Sequence, residues 1–357
     1  MSSSPDASFA GLTPDFMLDA LESAGLRCDG RVLQLNSYEN RVLQVHLDDG
    51  RIAVAKFYRP QRWSDAQILE EHAFAKELAE AEVPVAVPWL LEAHSATLRL
   101  QGTPPTLALL DGQRFAVTAR QGGRAPELED PEVLRWIGRL LARLHAVGAR
   151  QAFMHRLSWA SAAPGEAARD WLLANDILPP EIKPAWDDVV QRCLDAIGAA
   201  FDALPELRLT RLHGDCHPGN ILWTPDHGPH FVDLDDAVNG PAVQDLWMLL
   251  AGDTETAQRQ LAAVLEGYET VADFDRRELR LIEPLRTLRM IHHSAWLARR
   301  WGDPAFPLAF PWFGTPNYWN DQVAKLREQL EAMRTADDTP SPYTEPDDDF
   351  EFDAGFR

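Results

Sequence analysis

The chain has 357 residues, 45% hydrophobic and 25% charged, enough to bury one large core or two moderate ones. Its net charge of −21 argues against nucleic acid or an anionic membrane as a partner, and no apolar run is long enough to span a bilayer. The scattered cysteines Cys28, Cys193 and Cys216 suggest neither a disulfide framework nor a Cys-based metal site; with no signal peptide, a cytoplasmic location is expected.

Residues 1–12 are expected to be disordered. Thr13 before Pro14 starts a short helix, which Gly25 stops. Strand patterns follow over 32–35, 41–47 and 51–57. A polar loop, Asn36-Ser37-Tyr38-Glu39-Asn40, joins the first pair, and an Asp48-Asp49-Gly50 turn joins the second. Ser64 and Asp65 cap a helix that runs to about Ala81. Pro84 and Pro88 lead to another strand, and residues 114–118 form a further one. These elements make a β-rich N-lobe over 13–120.

Past Gln121-Gly122-Gly123-Arg124 the character changes to helical. One helix spans 130–147, and others lie near 165–175, 181–203, 241–251, 254–268 and 276–301. The helical C-lobe is placed at 121–334. Residues 335–357 hold eight acids, one arginine and a TPSP run, the composition of an acidic disordered tail. The fold class is α+β, with two lobes and a ligand cleft between them.

The strongest chemical signal is RLHGDCHPGNILWTPDHGPHFVDLDD, residues 211–236. Short apolar strands flank a turn rich in Pro, Asp and Gly, so one hairpin presents Asp215, Asn220 and Asp233. An asparagine and a carboxylate are hard oxygen ligands suited to Mg²⁺, and the remaining aspartate can accept a proton from an attacking hydroxyl. Asp-x-x-x-x-Asn is the spacing of a kinase catalytic loop. Each residue alone is as compatible with a turn that bonds its own backbone. A zinc cluster of His213, Asp215 and His217 is the rival chemistry, but Asn220 is a poor zinc ligand.

A kinase also needs a strand lysine that holds nucleotide phosphates and a helix glutamate that fixes its ammonium. Val54-Ala55-Lys56 supplies the lysine, though an edge-strand lysine that discourages aggregation has the same signature. Glu71 shares a helix face with Ala75 and Leu78 and is expected inward, with Glu70 as the alternative.

The segments NSYENRV, VAKFYRP, ILEEH, LHGDCHPGNILW, FVDLDDAVNGPAVQDLWMLL and DPAFPLAFPWF resemble the bacterial stress response kinase A family. That family lies within the aminoglycoside phosphotransferase and choline kinase group of protein-kinase-like folds. The resemblance covers about residues 13–325. It implies an ATP- and Mg²⁺-dependent kinase of protein Ser/Thr hydroxyls with a part in bacterial stress survival. By resemblance Asp215 is the proton acceptor, Asn220 and Asp233 hold Mg²⁺, Ser37 lies at the ATP phosphates, and Asp245 anchors the catalytic-loop amides.

Departures from the wider kinase pattern are specific. The loop Asn36–Asn40 stands in place of a Gly-x-Gly-x-x-Gly sequence, where an Asn/Ser turn is equally compatible. His213-Gly214-Asp215 replaces His-Arg-Asp, Asp233-Leu234-Asp235 replaces Asp-Phe-Gly, and no separate activation loop is visible. Switching by phosphorylation of such a loop is therefore not expected. Asp235 and Asp236 are candidates to join the metal set, and His217 is expected to brace the loop. The aromatic cluster from Trp296 to Trp319 is expected to be mostly core or lobe lining and, with Arg299, Arg300 and Asp303, to shape the acceptor groove. Adenine is placed against residues 118–121, and a monomer is expected. The rivals are the same chemistry on a cationic small molecule, which the acidic surplus suits, and a nucleotide-binding scaffold without transfer activity.

Overall fold

The computed structural model describes Phe9 and residues 11–338. Helix α1 (Pro14–Ser23) is capped by Thr13, whose side chain accepts the Phe16 amide at 3.2 Å. Strands β1 (Cys28–Leu35), β2 (Arg41–Leu47) and β3 (Ile52–Phe57) follow, then helix α2 (Asp65–Glu80) and strands β4 (Arg99–Gln101), β5 (Leu107–Leu110) and β6 (Gln113–Ala119). They form one antiparallel sheet in the order β1-β2-β3-β6-β5-β4.

Strand periodicity sorts the two faces of β3. Ala53, Ala55 and Phe57 join Leu43, Val45, Phe115 and Val117 in the N-lobe core. Lys56, one register step away, lies on the opposite face, where its partner Ala116 packs with Ile68 of α2 and Tyr58. Helix α2 begins at a capping box between Ser64 and Gln67, and its other apolar residues, Phe74, Ala75 and Leu78, enter the core of the second lobe. The helix therefore couples the sheet to the catalytic half.

The second lobe contains α3 (Pro131–Gly148), α4 (Ala163–Ala174), α5 (Lys183–Asp202), β7 (Thr210–Leu212), β8 (Ile221–Thr224), β9 (Gly228–Phe231), β10 (Val238–Gly240), α6 (Val243–Trp247), α7 (Thr254–Glu269), α8 (Ile282–Arg299), α9 (Ala305–Ala309) and α10 (Pro316–Asp338). Helices α3 and α7 cross at close range because each supplies a glycine. A Cβ on Gly138 would lie 2.0 Å from the Val264 carbonyl oxygen, and one on Gly267 would lie 2.0 Å from that of Arg135. Two small antiparallel ribbons, β7–β10 and β8–β9, frame the segment from 211 to 236.

Several sequence expectations need correction. The helix expected over 276–301 is a 3₁₀ turn, Arg276–Leu281, followed by α8, with Pro284 in the first helical turn. The helix near 241–251 is only the five residues of α6. Helices α9 and α10 and strands β4, β5, β7 and β10 were not anticipated as placed. Within the segment expected to be disordered at the start, the Phe9 ring lies under the guanidinium groups of Arg41 and Arg59, at 4.4 and 5.1 Å. At the other end, α10 continues through Asp338, into the tail expected from residue 335. The remainder of that tail lies outside the described residues.

One buried acid fastens the start of α6. Glu278 accepts the Val243 amide at 2.9 Å, tying the 3₁₀ turn to the start of α6. Burial pushes its carboxyl up from 4.5 to about 7. The protonated form belongs to the fold, so its stabilisation is complete below 4.5 and lost as pH rises through about 7. Glu278→Gln keeps the acceptor and removes the charge. It is expected to be more stable than the parent at pH 8, by on the order of 1–3 kcal/mol, with the difference gone by about pH 4. Urea unfolding at both pH values measures this.

Candidate active site

The loop after β7 is set by backbone constraints before any chemistry. Gly214 has φ +81°, and a Cβ there would meet the Asp236 carbonyl oxygen at 2.1 Å, so the close approach requires glycine. The amides of His213 and Gly214 each donate to Asp245 at 2.8 Å, and that buried carboxylate also meets His145 Nε2 at 3.1 Å. Asp245 is thus the anchor of the loop. His213 is buried, with Nε2 2.9 Å from the Val232 carbonyl, and His217 Nδ1 accepts the Gly219 amide at 2.9 Å. Both histidines brace the loop. Among the described residues no group of three His, Cys, Asp or Glu is gathered as a metal set, so the zinc alternative lacks a donor cluster.

This scaffold brings Asp215, Asn220, Asp233 and Lys56 together. The Asn220 side-chain amide donates to the Asp215 carbonyl at 2.9 Å and reaches its carboxylate at 3.4 Å. Asn220 Oδ1 and Asp233 Oδ2 accept no hydrogen bond among the described residues. Asp233 lies at the end of β9 in left-handed backbone, φ 59° and ψ 66°, a strained conformation for a residue with a Cβ. Its side chain is 50% exposed and points to the cleft, where it meets Lys56 Nζ at 3.0 Å. Two hard oxygens, one of them a carboxylate's and both unclaimed on one side, fit a hard divalent cation.

Lys56 is 19% exposed and makes two ion pairs, to Asp233 at 3.0 Å and Asp235 at 3.6 Å. Burial opposes its charge, but Asp233, Asp235 and Glu71 outweigh that and hold its pKa well above the ordinary value. It therefore remains an ammonium throughout any working pH range. Asp235 is buried and taken up by Arg62, by Lys56 and by the Asn40 side-chain amide at 3.1 Å. Burial works against its ionisation too, yet Arg62 and Lys56 keep its pKa well below the carboxylate range. Asp236 pairs with the other arm of Arg62 at 2.5 Å. These two acids anchor the β3–α2 connection.

The glutamates of α2 divide their work. Glu70 accepts the amides of Met154, His155 and Arg156 at 2.6, 2.9 and 3.1 Å and so fastens α2 to the second lobe. Glu71 is buried beside Lys56, and burial pushes its carboxyl up against the pull of Lys56 and Arg156. It makes no ion pair with Lys56 within 4.0 Å, because the ammonium rests on the two aspartates instead. Glu71→Gln is expected to lower turnover by up to about tenfold with little change in stability. Glu70→Gln is expected to do the reverse, losing about 1–2 kcal/mol through its amide partners. Unfolding and turnover measured on both variants check the division; the opposite order would mean the inward face was misassigned.

The loop Asn36–Asn40 is fastened at both sides. Ser37 Oγ accepts the Asn40 amide at 3.2 Å, which is the turn-stabilising role. Asn40 crosses to Asp235, while Glu39 pairs with Arg300 at 2.6 Å and accepts Trp296 Nε1 at 2.7 Å. Arg59 and Arg41 reach Asp303 at 2.9 and 3.3 Å. Arg300 and Asp303 thus clasp the first lobe. The Tyr38 ring packs on Phe310 at 4.9 Å.

Two residues of this site went unnoticed in the sequence. Arg62 was hidden because an arginine in a connection has no local signature. Arg289 of α8 donates Nη2 to Asp215 Oδ1 at 2.5 Å. Its position was legible in principle: Arg289, His293, Trp296 and Arg300 recur at helical spacing and line the cleft from Asp215 to Glu39.

Residues 31–282 match the phosphotransferase enzyme family. Stress response kinase A of Escherichia coli (strain K12) is 43% identical over 330 residues, covering 91% of this chain and 95% of that protein. The serine/threonine protein kinase RdoA of Salmonella typhimurium is 43% identical over 325 residues, covering 91% and 94%. Among solved structures, the amicoumacin kinase hAmiN in complex with AMP-PNP, Ca²⁺ and Ami has the same fold, with a TM-score of 0.67 at 18% identity. That match covers 94% of this chain and 97% of the other.

Proposed function

The chain belongs to the phosphotransferase enzyme family, and from that membership we propose that it is an ATP-dependent kinase of protein serine and threonine hydroxyls. The observation that carries the reading is the convergence of Asp215, Asn220, Asp233 and Lys56 on one cleft, with Lys56 3.0 Å from Asp233 and Asn220 3.4 Å from Asp215. Asp215 orients the acceptor hydroxyl and takes its proton. Lys56 is held in place by carboxylates and is ready to turn to nucleotide phosphates. Asn220 and Asp233 would hold Mg²⁺, which would supply positive charge against the negative charge that develops in phosphoryl transfer. Ser37 and the amides around it face the phosphates as a substitute for a glycine-rich loop, and Glu71 supports Lys56 electrostatically. Adenine lies along residues 118–121, where the chain passes between the lobes.

No described helix is long and apolar enough to cross a membrane. We place the enzyme in the cytoplasm as a monomer, acting in bacterial stress survival as its relatives' names indicate. The organisation behind this reading is an N-lobe over 13–120 and a C-lobe over 121–334. The second reading, transfer to a cationic amino alcohol or aminoglycoside, is favoured by the net charge of −21. Incubation with γ-labelled ATP and Mg²⁺ beside a generic protein and an amino alcohol separates the two. Label on the protein supports the proposal, label confined to the amino alcohol supports the rival, and nucleotide binding without turnover indicates a scaffold.

A further inference from the structure

Arg289 is the charged group closest to the proposed proton acceptor, and most of its hydrogen-bonding capacity is unused. Nη2 holds Asp215 Oδ1 at 2.5 Å, while Nε and Nη1 donate to no protein group among the described residues. The side chain is 35% exposed, on the stretch of α8 that walls the cleft below the loop Asn36–Asn40. Its immediate neighbours add no positive charge. His293, one turn further on, is pushed down to about 4 by burial with Arg289 beside it, and burial likewise lowers His217. Near neutral pH the His293 imidazole is uncharged. Asp233 is matched by Lys56, and Asp236 by Arg62. An incoming acceptor therefore meets one unsatisfied guanidinium fork beside the group that receives its proton.

A guanidinium presents donors in a fixed planar fork that fits a carboxylate or phosphate with two parallel bonds. Like charge is excluded from the same place, since a cation close to Arg289 in a partly desolvated cleft is repelled. Resting on the protein-kinase reading, we infer that Arg289 determines acceptor specificity: its free donors engage an anionic group flanking the acceptor Ser or Thr. The favoured substrate class is a protein segment in which acidic or already phosphorylated residues adjoin the hydroxyl. The same fork disfavours amino alcohols and aminoglycosides, which the overall acidic charge would otherwise attract. One guanidinium thus serves two purposes, holding Asp215 with one N–H and selecting the acceptor with those left free.

The test uses the full chain and two serine peptides of equal length, one with aspartates and one with arginines around the serine. Wild-type enzyme is expected to favour the acidic peptide by roughly tenfold or more in kcat/KM. Arg289→Gln should level the two rates, and Arg289→Glu should invert the preference. ATP affinity, measured on each variant, serves as the check that the fold persists. The inference is overturned if wild-type enzyme phosphorylates both peptides equally or prefers the basic one. It is also overturned if both variants lose activity on the two peptides by the same factor, which would confine Arg289 to holding Asp215. Transfer to ethanolamine but to neither peptide would retire the protein-kinase reading itself, and the acidic-acceptor assignment with it.

Discussion

Asp215→Asn is expected to lower turnover by about 10²–10⁴-fold while leaving ATP affinity nearly unchanged. The substitution hardly alters size, and the loop is held chiefly through backbone groups. His213 and Gly214 hang on Asp245 through their amides, and the Asn220 side chain holds the Asp215 carbonyl at 2.9 Å. What disappears is the acceptor for the hydroxyl proton and the anionic partner of Arg289 at 2.5 Å. Phosphoryl transfer depends on positioning and charge stabilisation, so a residual rate is expected. Turnover and nucleotide titration on the same preparation separate the effects. Turnover at the wild-type rate would remove Asp215 from the mechanism, and loss of ATP binding would make it a structural residue.

Asp233→Asn is the second large effect. The variant keeps an oxygen ligand but loses its charge, which should raise the Mg²⁺ concentration needed for half-maximal turnover. The saturated rate is expected to fall on the order of 10²–10³-fold, the scale of losing one preorganised electrostatic stabiliser. Stability should change by less than about 1 kcal/mol, because Asp233 is half exposed and Lys56 retains Asp235 at 3.6 Å. Asparagine tolerates the left-handed region at φ 59°, so any relief of strain there would offset part of that loss. A Mg²⁺ titration of activity together with thermal unfolding tests both halves. Unchanged metal dependence would leave Asp233 as a counter-ion of Lys56 only.

How much of this was legible depended on how local each signal was. The catalytic hairpin announced itself because its turn residues, short strands and the spacing from Asp215 to Asn220 lie within one stretch. Lys56 was legible through the period-2 alternation of β3, and Glu71 through its place on α2. The partners of those residues were not, since they come from distant segments. Lys56 resting on aspartates rather than on Glu71, and Arg289 on Asp215, are tertiary facts that no spacing encodes. Some misses did have a local signal. Trp319, Val323, Leu326, Leu330 and Met333 recur at steps of four and three, and all are buried on α10. The many charged residues around that stripe and the acidic stretch beyond it obscured a long helix. The loop Asn36–Asn40 was ambiguous for a physical reason. Ser37 forms the ordinary turn contact that any Asn/Ser loop would form, and the ties of Glu39 and Asn40 across the cleft come from distant segments.

The most direct test of the account is to locate the transferred phosphoryl group. Full-length enzyme is incubated with γ-labelled ATP, Mg²⁺ and a protein acceptor, and the modified residues are mapped by mass spectrometry, with Asp215→Asn run in parallel. The account predicts phosphoserine and phosphothreonine that require Mg²⁺ and fall in the variant by about the factor of its turnover loss. Label released only as inorganic phosphate, or equal labelling by the variant, would contradict it.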